Sequence, residues 1–403
     1  MGPGAGSALA AAVAGRVVLD PRDAQPIRGG RPMIGAEVLR RMTEGRRASM
    51  LPDLLGAMFS VCGAVHRLTA RHAVAAALGM TATGDATGDE PSEASLLLRA
   101  ATLRDHLHRL ALDLPARVPV GIDAATTWLA GAPMVGVPAS PSARTDELAA
   151  GLQRMVGWLE RELLGCPPEA WWREWQQDPA RTAGRWATRQ VHPVARWHAA
   201  VRERAESLRL PCRPLALLEA EPAVVRASMR ELARELAEDA GFSARPLWLG
   251  LPAETGAWTR DAALRIGPLA AGAGTAWLRL AARVADSARV VCDAEALRHG
   301  CLALGGGEGI AWSEMARGLL VHWVRLEADT DDPALARVET CRVLAPTEWN
   351  FHADGGLAQW LRSGAPGAAD VALAAAALDP CVEFEVVGAE RDAVPQACEV
   401  GHA

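Results

Sequence analysis

Apolar residues recur at helical spacing through most of this chain, and they are densest around Leu51–Ala70. There Leu54, Leu55, Met58 and Val61 fall every three or four positions, and Pro52 suits a first helical turn. The pattern predicts a helix from about Leu51 to about Gly79. Similar periodicity predicts helices over 35–47, from Pro91-Ser92-Glu93 to about Leu112, and over 145–164, 184–208, 222–240, 274–287, 356–362 and 367–378. Short β-rich runs predict an opening strand over Gly15–Asp20 and a hairpin pairing Leu319–Leu326 with Arg337–Leu344, its turn at Asp329–Pro333. Gly, Pro and small polar residues mark loops at Thr81–Asp89 and Gly121–Arg144, and Gly165-Cys166-Pro167-Pro168 is a clear breaker. Residues 241–275 mix Pro and Gly with short apolar runs and give no assignment. The expected fold class is α+β, mainly helical, with small β-hairpins. Residues 1–15 read as a flexible N-terminus, 16–387 as one domain and 388–403 as a polar tail.

Composition narrows this picture by exclusion. With 403 residues, half of them hydrophobic, the chain is long enough to build a large core. A net charge of -6 and a pI near 6.0 give no reason to expect nucleic acid or an anionic membrane as partner. All 42 basic residues are arginine, so neither a Schiff base nor a phosphate-loop lysine is available. Gly305–Gly309 lacks the ending of a phosphate loop, and its glycines suit close backbone approach instead. The eight cysteines are scattered without any Cys-x-x-Cys, which favours reduced thiols. The apolar run near the N-terminus has no basic residue before it, unlike a signal peptide. No apolar stretch reaches the roughly 20 residues of a spanning helix. A cytoplasmic location without membrane insertion is expected.

Candidate chemistry begins at Cys62 and His66, four residues apart and so on one face of the predicted helix. A thiolate beside an imidazole suits iron, nickel or zinc, although a lone Cys and His in an apolar helix are more often packing. His106 and His108 are two apart and face different sides of their helix, which reads as packing or solvation. Trp171, Trp172 and Trp175 suit either a partner surface or a large interior, and the interior is favoured.

Four segments in order resemble the large subunit of nickel-iron hydrogenases. They are the Cys62–His66 stretch, Glu314–Trp323 with Arg317, Ala345–His352, and Asp379-Pro380-Cys381 through Val387. That resemblance implies that Cys62 matches a ligand bridging nickel and iron, and Cys381 a terminal nickel ligand. It implies that Arg317 and Thr347 contact the iron's diatomic ligands, with Leu320 and Pro346 shaping the pocket. The predicted hairpin would bring the Arg317 and Thr347 ends together; the bland alternative pairs Arg317 with Glu314 or another carboxylate.

The departures point away from hydrogen turnover. Phe59 stands where the first cysteine of the early pair belongs, Phe384 where the second of the late pair belongs, and Val387 where the final histidine belongs. Phenylalanine cannot donate to a metal, so the nickel cage is incomplete and no nickel is expected. This pattern of loss is similar to the HupK/HoxV group of hydrogenase expression and formation proteins. That likeness implies a non-catalytic maturation scaffold that carries an Fe(CN)2(CO) unit transiently on Cys62 and Cys381, with His66 as a further candidate ligand. It also implies partners: a HypC-type chaperone, HypD and the hydrogenase large-subunit precursor. The alternative is a metal-free interaction protein or chaperone for the immature large subunit.

Hydrogenase precursors lose a C-terminal tail after the final histidine, and Val387 replaces that residue here. The tail is therefore expected to stay. Intact mass of the protein from its native host checks this, and loss of the segment after Val387 overturns it.

Overall fold

The computed structural model describes residues 15–31, 36–59, 62–80, 92–133, 145–189, 191–218, 221–260, 273–327, 332–364 and 366–388. The expectations for residues 1–14, the loop after Met80, the 134–144 part of the next loop, the centre of the hairpin turn and the tail beyond Gly388 lie outside these residues. Among the described residues no helix is long and apolar enough to cross a membrane, and the seven cysteines form no disulfide.

The molecule is α+β and mainly helical. Its helices include α1 (Ala36–Thr43), α2 (Leu51–Met58), α3 (Gly63–Ala77), α4 (Glu93–His108), α5 (Thr145–Leu159), α6 (Pro168–Gln177), α7 (Pro179–Arg189) and α8 (Pro193–Ser207). Further along are α9 (Pro222–Glu238), α10 (Ala276–Cys292), α11 (Pro346–Asn350), α12 (Gly356–Arg362) and α13 (Ala368–Leu378). The strands are β1 (Arg16–Leu19), β2 (Ile27–Gly30), β3 (Arg209–Pro211), β4 (Ala273–Thr275), β5 (His299–Gly305), β6 (Glu308–Met315), β7 (Gly318–Leu326), β8 (Val338–Leu344) and β9 (Glu383–Val386). They form three sheets, in the orders β2-β1-β9, β3-β4 and β5-β6-β7-β8.

The helix expected over 184–208 is two helices, α7 and α8, because Pro193 cannot continue a hydrogen-bonded ladder and instead starts a new one. His192 caps it through Nδ1, which accepts the Ala195 N–H at 3.2 Å. The predicted hairpin is real: β7 pairs antiparallel with β8, Val321 opposite Leu344. Two more strands precede it, however. Gly305, Gly306 and Gly307 all have positive φ and turn β5 into β6, so the glycine run is a hairpin turn.

The central strands β6 and β7 are buried on both faces, which explains why β7 reads as a nearly continuous apolar run. Ala311, Leu320 and Val324 belong to the main core, against which α3 packs; Ile310, Trp312, Val321 and Trp323 join a second cluster with α9. Contact with α3 is close at Gly309, where an added Cβ would lie 2.3 Å from the Ala73 carbonyl oxygen. Two polar pairs cross this interface: Thr69 Oγ1 bonds Ser313 Oγ at 2.9 Å, and His66 Nδ1 meets His322 Nε2 at 3.0 Å.

The tryptophan cluster is interior. Trp171 and Trp175 are buried and stacked with centroids 5.6 Å apart, while Trp172 is half-buried under Arg289. His106 is buried against Asp286 at 2.8 Å, and His108 is exposed.

Two outcomes follow from the α3–sheet contact. Gly309→Ala should cost about 1–3 kcal/mol of stability by overpacking, read as a lowered Tm. Burial pushes His322 down to about 3 and, together with His322 and Arg31, holds His66 well below its ordinary value. Unfolding frees both to protonate, so stability should be complete above the ordinary histidine range and fall as pH drops through that range towards 3. Denaturant titration across pH checks this, and His322→Gln should flatten the slope.

Candidate functional site

The sequence pattern runs one helix through Cys62, but the chain breaks there. Gly63 crosses Gly56 so closely that a Cβ on Gly63 would lie 2.2 Å from the Gly56 carbonyl oxygen. Such backbone contact requires two helices, α2 and α3, folded against each other. Cys62 is the residue preceding α3, and its carbonyl accepts the N–H groups of Val65 and His66 at 3.0 and 3.1 Å. Its side chain is thereby released from the helix face shared with His66.

The Cys381 segment is shaped by Asp379. This residue ends α13 in the left-handed region, φ 55°, which Asp tolerates better than most residues. Three arginines hold its buried carboxylate: Arg109 at 2.7 Å, Arg283 at 3.2 Å and Arg317 at 3.6 Å. Burial alone would raise the Asp379 pKa, but these guanidiniums and Arg117 outweigh it and keep the carboxylate ionised. The chain then turns through Pro380, and the Cys381 N–H donates to Thr347 Oγ1 at 3.0 Å. Thr347 is held in place because Pro346 opens α11 and Asn350 ties that helix down. Asn350 Nδ2 donates to the Thr255 and Leu378 carbonyls at 2.9 and 3.3 Å.

These two turns bring the Cys62 and Cys381 side chains near enough for each to act on the other's titration, although 319 positions separate them in the sequence. Their titration is shared. The hydrogen bond from Cys62 lowers the pKa of Cys381, burial opposes this, and Arg317, Arg31 and Thr347 support it. The same bond, burial and the neighbouring Cys381 charge push Cys62 well up. The two sulfurs therefore share one titration, in which Arg317 and Arg31 favour the thiolate.

Arg317 occupies the two-residue turn between β6 and β7 and is buried. It forks onto Asp105, with Nη2 to Oδ1 at 3.0 Å, so the carboxylate it engages is not Glu314. Glu314 instead accepts the Arg298 backbone N–H at 2.9 Å. Arg317 Nε makes no hydrogen bond among the described residues but faces the Asp379 carboxylate at 3.6 Å. Arg317 acts electrostatically on Cys381, whose backbone N–H Thr347 accepts. Leu320 is wholly buried on β7.

His66 is turned to other neighbours. Its ring stacks on Phe59, centroids 3.8 Å apart at 18°, and its Nδ1 meets His322. Phe384 lies on β9 opposite Val17, beneath the Arg117 guanidinium at 5.4 Å, and the Val387 N–H donates to the Leu19 carbonyl at 2.8 Å. Among the described residues no three His, Cys, Asp or Glu side chains gather as a metal cage.

Two residues of the site carried no signal in the sequence. Arg31 grips Glu348, Nε to Oε1 at 3.0 Å and Nη2 to Oε2 at 2.6 Å, across 317 positions, and both are buried. Arg31 also lies over the Phe59 ring at 5.8 Å and acts electrostatically on both thiols. A cavity of about 10 Å³ borders Cys62, Thr102, Asp105 and Ala316, room for about one water. A larger cavity, about 240 Å³, lies elsewhere, lined by Pro211, Cys212, Trp349 and Gly356.

No family model matches the chain. Among solved structures it is similar to the nickel-iron-selenium hydrogenase of Desulfomicrobium baculatum, TM-score 0.48, 12% identity, covering 88% of this chain and 93% of that one. The enzyme of Desulfovibrio vulgaris Hildenborough gives a TM-score of 0.46 at 15% identity, covering 88% and 92%. Among curated proteins it is 36% identical to the hydrogenase expression/formation protein HoxV of Cupriavidus necator, over 94% of this chain and 97% of that one. It is 32% identical to the hydrogenase expression/formation protein HupK of Bradyrhizobium diazoefficiens, over 94% of each. With relatives of that identity matched along nearly their whole length, the chain belongs to the HoxV/HupK family of hydrogenase expression/formation proteins.

Proposed function

We propose that this chain is a non-catalytic scaffold that holds an Fe(CN)2(CO) unit and passes it to the precursor of a nickel-iron hydrogenase large subunit. The observation that carries the reading is the pairing of Cys62 with Cys381 beside Thr347, whose hydroxyl oxygen accepts the Cys381 N–H at 3.0 Å. Two thiolates are soft donors suited to iron that already bears strong-field ligands. Arg317 Nε and the Thr347 hydroxyl are donors for the nitrogen ends of bound cyanide, and Leu320 and Pro346 are apolar walls for carbon monoxide. His66 is the weakest member of the proposed ligand set, since Phe59 and His322 already engage its ring.

The chemistry of loading follows from the thiols. Metal ligation requires thiolates. Binding would therefore release the proton that the two thiols share. Two protein sulfurs form an open ligand set, and an open set permits release by exchange onto a partner's thiolates. The partners proposed are a HypC-type chaperone, HypD and the large-subunit precursor, in the cytoplasm. The tight packing around the sulfurs favours a second reading, a metal-free chaperone of the immature subunit: a cavity of about 10 Å³ leaves no room for the unit unless side chains move.

Anaerobic protein co-produced with the maturation partners should show infrared bands of bound carbon monoxide and cyanide. Cys62→Ser and Cys381→Ser should each abolish them and lower hydrogenase maturation. Absent bands on the wild type, or unchanged maturation in both variants, overturn the carrier in favour of the metal-free chaperone. Thr347→Val removes one hydroxyl at nearly constant shape, and it should shift the cyanide bands while leaving the fold intact.

A further inference from the structure

The stretch around Trp248, which gave no assignment in the sequence, holds a two-residue turn with an unexpected tip. Trp248 and Leu251 bond each other's backbone at 2.9 and 3.2 Å, and Leu249 and Gly250 reverse the chain at φ 52° and 73°. Two positive φ values in such a turn call for Asn, Asp or Gly. A leucine there strains the backbone, because its Cβ crowds the following carbonyl oxygen. The Leu249 side chain is also 74% exposed, and Leu247 and Leu251 beside it are exposed as well. Leu249 is thus unfavourable twice in an isolated chain, once in its backbone and once in its contact with water. A strained apolar tip of this kind is what an interface buries.

The feature that fits the tip lies next to it. Pro252 and Ala253, directly after the turn, line the cavity of about 240 Å³. Arg213, also in that lining, donates from Nη1 to the Leu251 carbonyl at 3.3 Å. Leu210, Pro211 and Leu357 supply further apolar wall, and the exposed Gln359 stands at the edge. An apolar cavity of roughly 150 Å³ takes a benzene-sized guest, so this one has room for a leucine side chain. Trp349 in the same lining is buried, and its indole N–H makes no hydrogen bond among the described residues. The bonds that close the turn use only Trp248 and Leu251, which leaves the Leu249 and Gly250 carbonyls as acceptors. The cavity lacks an apolar filling and an acceptor, and the tip carries both.

We propose that this face joins two copies of the chain, with the Leu249 tip of each seated in the cavity of the other. A two-fold interface needs a patch complementary to itself, and a knob beside the hole that fits it is such a patch. One rotation then buries both leucines, fills both cavities and brings each Trp349 N–H a carbonyl. The tip does not enter the cavity of its own chain, since Leu249 is exposed there. The proposal is independent of what the thiols hold.

Sedimentation of the purified, reduced full-length chain tests it. The wild type should run as a dimer at about 100 μM, well above a micromolar dissociation constant. Leu249→Asn supplies the Asn-Gly pair that such turns prefer while removing the apolar tip. It should weaken association roughly a hundredfold or more, since two leucine side chains leave each interface. At a concentration where both proteins are monomers it should melt no lower than the wild type, which a purely structural role of Leu249 would not produce. Gln359→Trp roofs the cavity, leaves the tip intact and should weaken association as well. Contact is read directly by mixing Leu249→Cys protein with Gln359→Cys protein under mild oxidation. Each chain carries only one of the new thiols, so a disulfide between these two positions, found by peptide mass spectrometry, joins different copies. A monomeric wild type, either single variant associating as tightly as the wild type, or no such disulfide in the mixture overturns the proposal.

Discussion

The buried carboxylate of Asp379, at the end of α13, fixes where Cys381 can be. Its backbone is left-handed, and its oxygens are gripped by Arg109, Arg283 and Arg317, which come from three separate parts of the chain. Each arginine ties a different element to the same point: the segment after α4, the middle of α10, and the β6–β7 turn. A network of this kind is not an efficient source of stability, because desolvating charges offsets much of their attraction. Its consequence is geometric. Breaking one partner leaves an uncompensated charge in the interior, so the arrangement resists alternatives, and the Cys381 turn inherits that rigidity.

Cys62 is fixed by a different kind of force. It depends on close packing, with Gly63 against Gly56 and Gly309 against the backbone of α3. Those contacts set the height of α3 on the sheet, and the sheet's β6–β7 turn carries Arg317. The sulfur-bearing N-terminus of α3 and the arginine-bearing turn are thus positioned by one interface. The electrostatic frame on one side and the steric frame on the other meet at the two thiols.

Much of this was legible in sequence where the signal was local. The helices over 356–362 and 368–378 follow from short periodic runs bounded by Gly and Pro, and the β7–β8 hairpin from alternation around a polar turn. The break between α2 and α3 was not legible, because Gly56 and Gly63 read as ordinary members of an apolar helix until another backbone presses on them. The short strands β3, β4 and β9 were missed for a related reason: each has only three or four residues, and its pairing partner is distant in sequence. At the site, the two cysteines, Arg317 and Thr347 were visible through motif order. Arg31 and Glu348 were not: an arginine after two glycines and a glutamate in a short helix have no local mark, and their meaning comes from the ion pair across 317 positions.

The charges around the sulfurs bear on how firmly a metal unit can be held. Arg31 and Arg317 favour thiolate on Cys381, and each is already paired with a carboxylate. With about 10 Å³ of free space beside Cys62, the side chains around the sulfur, rather than these ion pairs, would have to shift to admit the proposed unit. Phe59 and Phe384 add no donors, and His66 stays engaged with Phe59 and His322. Two sulfurs, two preset guanidiniums and apolar filling elsewhere therefore make a site with few donors of its own. A donor-poor pair of this kind suits the proposed transfer of a metal unit that brings its own ligands, whereas a turnover site that must retain its metal would be built with more donors.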